Sequence, residues 1–99
     1  MVKIRAYIKL YANGRKTPFY SGYRPLFNFI EEMKTSGRID LIDKEQFCPG
    51  EEGEVEILFL NRNYLGGDFD IGKTFLFGEG EIPLGEGVVK EILQEQSPQ

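Results

Sequence analysis

Apolar and polar residues alternate through most of the chain. In "KIRAYIKL", Ile4, Ala6, Ile8 and Leu10 point one way and Lys3, Arg5, Tyr7 and Lys9 the other, the period-two signature of a half-buried strand. "ANGRKTP" follows with Asn-Gly and a proline, which read as turn and loop. "LFNFI" returns to alternation, with Phe27 and Phe29 on one face and Leu26, Asn28 and Ile30 on the other. Pro25 suits the first position of that strand, where no ladder donor is needed. The next stretch, "EEMKTSGRID", admits one helical turn over Glu31 to Lys34, which Thr35-Ser36-Gly37 ends before "GRIDLI" resumes a strand.

The second half continues in the same way. Pro49-Gly50 makes a turn into a long strand with Val55, Ile57 and Phe59 inward and Glu54 and Glu56 on a solvated face. "YLGGDFDIG" reads as a loop, "KTFLFG" as a strand around Phe75 and Phe77, "EGEIPLGEG" as a turn and "GEGVVKEILQ" as a closing strand. Residues 1–93 form one domain on this reading, and 94–99 a polar tail. Short strands between Gly and Pro turns, with no amphipathic helix, predict an all-β sandwich or closed barrel.

Composition narrows the chemistry. A chain of 99 residues holds one core, and 40% hydrophobic with 28% charged residues is ordinary for a globular domain. No apolar run is long enough for a membrane helix, and the alternating start lacks the apolar block of a signal peptide, so a cytoplasmic location is expected. With Cys48 as the one cysteine and no histidine, an internal disulfide, a thiolate or histidine metal site and Cys–His catalysis are all excluded. Twelve basic against 16 acidic residues leave a net charge of −4, which opposes non-specific attraction to phosphate. Local positive charge gathers at Lys3, Arg5, Lys9, Arg15 and Lys16.

Gly67 to Thr74, "GDFDIGKT", matches the phosphate-loop pattern G-x-x-x-x-G-K-[ST] letter for letter. That loop must open a helix whose N-terminus faces the phosphate, and here the strand pattern "TFLFGEG" follows. Asp68 and Asp70 would also place negative charge inside an anion cradle, so no nucleotide is expected. Serine without histidine or a spaced lysine base is no nucleophile signature. Asp40, Asp43 and Glu45 lack the spacing of a calcium loop and read as a solvated turn. A non-catalytic protein without cofactor or metal is the expectation.

Three stretches remain distinctive: "GRKTPFYSGYRPLFNF", "CPGEEGEVEI" and "GEGEIPLGEGVVKEIL". In that order and at those spacings they resemble the C-terminal, third domain of bacterial elongation factor Tu, over nearly the whole chain. The most specific match runs from Gly14-Arg15-Lys16-Thr17-Pro18-Phe19 through Gly22-Tyr23-Arg24-Pro25. The resemblance implies a six-stranded antiparallel Greek-key barrel, with Phe19, Phe27 and Phe29 as barrel filling and Tyr23-Arg24-Pro25 as a structured turn. It also implies no GTP hydrolysis by that family's mechanism, since the matched region corresponds to neither the GTPase domain nor the middle barrel.

In that family the domain contacts the T-stem of aminoacyl-tRNA and packs against the GTPase domain and the nucleotide-exchange factor. By position, Glu79 matches a family glutamate near the T-stem, and Thr35 or Ser36 a family threonine. Leu26 stands where the family has glutamine. A family lysine or histidine falls near Asn61, beside Arg62, and the arginine-flanked family turn becomes "GEGEI" from Gly78 to Ile82. Losing those charges weakens phosphate contact.

Two functions follow from the resemblance. One is an RNA-binding module of translation that grips the tRNA T-stem through Arg15, Lys16, Arg24, Arg62 and Glu79. The other is a protein-interaction mimic, such as a regulator or an immunity protein acting at the factor's third-domain surface. Its candidate contacts are Tyr11, Tyr20, Tyr23 and Tyr64, because exposed tyrosines anchor interfaces. Taken together, the candidate binding residues are Arg15, Lys16, Tyr23, Arg24, Thr35, Ser36, Arg62 and Glu79.

Overall fold

A computed structural model describes residues 1–95 as an all-β chain. Its strands are β1 (Val2–Leu10), β2 (Leu26–Ile30), β3 (Met33–Ser36), β4 (Arg38–Leu41), β5 (Glu52–Phe59), β6 (Thr74–Gly78) and β7 (Pro83–Glu95). They form one antiparallel sheet in the order β3-β2-β6-β7-β1-β5-β4. The two end strands, β3 and β4, are consecutive in the chain and separated only by Gly37. The sheet therefore curls until one kinked segment, 33–41, serves both its ends, giving a small barrel.

The kink accounts for seven strands where six were expected. Gly37 donates to the Pro25 carbonyl at 3.3 Å as the chain passes from the β2 side to the β5 side. A Cβ at Gly37 would lie 2.7 Å from the Phe59 ring and 2.9 Å from the Phe27 ring, so only glycine lets the strand bend this close to the core.

Three local expectations need correction. Glu31 to Lys34 forms no helical turn: Glu31 and Glu32 make a tight hairpin turn, Glu32 adopts a left-handed φ of 65°, and Met33 already belongs to β3. The turn before β7 is confined to residues 79–82, because Pro83 opens the strand where no ladder donor is needed. At the other end, Gln94 and Glu95 still pair with Lys3 and Val2 of β1, so the strand runs two residues into the segment read as tail. Residues 96–99 of that tail lie outside the described residues.

The alternation of β1, β2 and β5 emerges as read. Ile4, Ala6, Ile8, Leu10, Val55, Ile57 and Phe59 are fully buried. All eight phenylalanines of the chain are buried, including Phe69 in the loop before β6 and Phe47 in the loop before β5. Phe27 sits at the hub, with Phe59, Phe75 and Phe77 at centroid distances of 5.1, 5.7 and 5.8 Å. These separations are those at which aromatic pairs add to the energy of burial. The aromatics of 16–29 thus divide: the phenylalanines fill the barrel, and the tyrosines stay toward its surface.

Candidate functional site

One end of the barrel gathers several of the residues singled out by sequence. After β1 the chain turns back, with Tyr11 N–H on the Leu84 carbonyl at 2.9 Å, and Asn13-Gly14 delivers Arg15 to the rim. Tyr23 N–H closes a turn onto the Tyr20 carbonyl at 3.1 Å through Gly22, whose φ of 97° suits glycine alone. Ile39 N–H then bonds the Tyr23 carbonyl at 2.8 Å, tying that turn to β4. The 79–82 loop between β6 and β7 brings Glu79 to the same place.

There Arg15 forms an ion pair with Glu79, and the Tyr23 hydroxyl donates to the same carboxylate oxygen. The guanidinium lies 4.8 Å from the Tyr23 ring centroid, and its Nε donates to the Thr17 carbonyl at 3.0 Å. The Tyr23 ring in turn stacks on Phe19 at 4.6 Å, and Phe19 on Phe47 at 5.3 Å. The knot is therefore continuous with the core.

Burial, then the hydrogen bond to Glu79, pushes the Tyr23 phenol above its ordinary 10.0. The folded chain holds that proton more tightly than the unfolded chain does. Stability linked to Tyr23 is thus complete below pH 10 or so and is lost as pH rises toward the folded value. Between about pH 9 and 11 the urea midpoint of the wild type should fall more steeply than that of Tyr23→Phe. Parallel slopes would show that the phenol does not feel the knot.

The remaining candidates divide. Ser36 is exposed on β3 and lies in register with Leu26, which faces Gly78 on its other side, so Ser36 shares the end of the barrel that carries Glu79. Thr35 is half-buried, opposite Phe27. Lys16 and Arg24 are exposed and make no hydrogen bond or ion pair among the described residues. Arg62 lies elsewhere, in a 3-10 turn (Arg62–Tyr64) capped by the Asn61 side chain. It bonds Glu95 at 2.9 Å and the Gly66 carbonyl at 2.8 Å, and packs over the Phe69 ring. Glu95 pairs with Val2, whereas the knot lies beyond Leu10, so the length of β1, about 25 Å, separates them.

Among the tyrosines, Tyr20 and Tyr64 are exposed, while Tyr11 is half-buried with its hydroxyl donating to Glu86 at 3.0 Å. Several residues near the knot were not singled out from sequence: Leu76, Ile82, Lys34 and Glu81. Lys34 reaches from β3 to the Gly80 carbonyl at 2.6 Å and braces the 79–82 loop. Leu76 was legible in principle, since it falls between the inward Phe75 and Phe77.

The charges at this end and elsewhere are largely paired. Among the described residues, Lys3, Arg5, Arg15, Arg38, Lys44, Arg62 and Lys73 all form ion pairs with carboxylates. Lys73 of the phosphate-loop match bonds Asp68 at 2.6 Å and holds that carboxyl below its usual range, and Thr74 opens β6. Asp40 is held by Arg38 at 3.0 Å, and no group of three potential metal-ligating side chains occurs among the described residues. No helix there is long and apolar enough to cross a membrane. No protein-family model matches the chain.

Proposed function

We infer that this chain is a non-catalytic, cytoplasmic protein-docking module of the elongation factor Tu third-domain type, which presents that domain's outer shape to a protein partner of the factor. The observation that carries the reading is the pairing of its cations. Among the described residues, seven of the 12 basic side chains are held by carboxylates. They include Arg15 and Arg62, two of the four basic residues that an RNA-binding role requires. A guanidinium held by a carboxylate of its own chain must give up that pair before it can neutralise a phosphate, which weakens the electrostatic affinity for RNA. Leu26 supports the same reading: it is an apolar residue on the surface where the resembled family has glutamine, and an apolar surface favours protein over phosphate.

Lys16 and Arg24, next in sequence to Arg15 and Tyr23 and unpaired among the described residues, are what favours the RNA reading. Two assays separate the readings. Fluorescence anisotropy of a labelled T-arm hairpin should give no saturable binding at moderate salt. Calorimetry against elongation factor Tu and its nucleotide-exchange factor should give a saturable complex with one of them. Salt-sensitive hairpin binding that is lost in Arg24→Glu, with no protein complex, would replace protein docking by RNA binding.

A further inference from the structure

The outer face of the sheet beside the knot carries an apolar groove bordered by charged side chains, with carboxylates in the majority. Leu26 and Leu76 point outward from β2 and β6, between the buried Phe27, Phe75 and Phe77, and are 37% and 43% exposed. They are neighbours, since Leu26 pairs with Gly78 and Asn28 with Leu76. With Pro83 they line a pocket closed on one side by Lys34, whose ammonium is fixed on the Gly80 carbonyl so that its methylene stem forms the wall. Leu76 also borders a second groove, which continues over β7 and β1. Its register runs from Leu76 to Glu86, to Lys9, to Glu52.

Three carboxylates border this path. Glu86 and Glu52 accept hydrogen bonds from the Tyr11 and Tyr7 hydroxyls, which fix their positions and leave their charge. Glu81, which lines the pocket, makes no side-chain hydrogen bond or ion pair among the described residues. Two ammonium groups, Lys9 and Lys34, stand against them, in a chain of net charge −4.

We propose that this groove seats a polypeptide segment of the partner that offers aliphatic side chains flanked by lysine or arginine. An aliphatic side chain enters between Leu26, Leu76 and Pro83, and the cations meet Glu81 and Glu86. Apolar contact supplies the affinity, and the carboxylates select a basic segment over an acidic one and over nucleic acid. This inference rests on the protein-docking reading above and adds the face and the chemistry of its partner.

The test uses a short acetylated peptide alternating lysine with leucine, titrated into the isotopically labelled full chain and followed by amide chemical shifts. Saturable shifts at Asn28, Leu76 and Glu81 are expected. Peptides in which glutamate replaces lysine, or serine replaces leucine, should leave those signals in place. Leu76→Lys should weaken binding about tenfold or more, and Glu81→Lys by several-fold. Both positions are exposed, and retained shift dispersion verifies that the variants fold. Absence of saturable shifts, equal shifts with the glutamate peptide, or shifts confined to another face would overturn the inference. A calorimetric protein complex that survives Leu76→Lys unchanged would overturn it while leaving protein docking intact; absence of any protein complex would overturn both.

Discussion

Phe27→Ala should lower the unfolding free energy by about 3–5 kcal/mol, the range for deleting a buried aromatic ring. Phe27 is fully buried and touches the rings of Phe29 on its own strand, Phe59 on β5, and Phe75 and Phe77 on β6. Removal of its ring opens a cavity that these neighbours can fill only by leaving one another. Phe59 is anchored on β5, Phe75 and Phe77 on β6 and Phe29 on β2 itself, all in one closed sheet, so collapse is restricted. Phe29→Ala belongs to the same range toward its lower end, because Phe29 is 6% exposed and lies nearer the barrel mouth with Phe69. In a domain of this size the Phe27 change corresponds to a loss of at least roughly 12 °C in melting temperature. Urea denaturation checks it, and a change within about 0.5 kcal/mol would mean that β2 presents its other face to the core.

Such a slip of face is what the sequence guards against most clearly. β1, β2 and β5 each bury every second residue, and a one-residue shift would expose the whole apolar set, so their alternation could be read directly. The break at Gly37 was not legible in this way. It depends on Phe59 of β5 and Phe27 of β2 both approaching the backbone, and nothing local to "KTSGRID" reports their positions. Pro83 misled for a local reason: proline and flanking glycines look like a turn, yet the first position of a strand requires no donor. Leu65 and Phe69 are buried from a loop without periodicity, where pattern has nothing to say.

The site follows the same division. Arg15, Tyr23 and Glu79 were each singled out, but their union joins residues 64 and 56 positions apart and needed the folded barrel to bring it about. The pairing of Arg62 with Glu95 likewise depends on where β7 ends, two residues into the supposed tail. These pairings change the functional reading, because a cation counted from sequence as free for phosphate is already committed within the fold.

Gly85→Ala should be nearly as damaging as loss of a core ring, about 3 kcal/mol or more, although it adds only a methyl group. A Cβ at Gly85 would lie 2.4 Å from the Phe77 ring and 2.6 Å from the Lys9 carbonyl oxygen. The ring cannot retreat without displacing Phe27, 5.8 Å away at the hub, and the carbonyl belongs to β1, whose Leu10 pairs with Gly85 itself. Either route breaks packing or ladder, which places the substitution at the upper end of overpacking costs. Gly80→Ala supplies the control. Beyond its own chain neighbours, no atom of the described residues lies within 4 Å of its added Cβ, so its effect should remain within about 0.5 kcal/mol. Parallel urea titrations of the two variants decide the matter. Equal, small losses would mean that β7 does not press against Phe77, and the close approach of β7 to β1 that forms the floor of the outer groove would go with it.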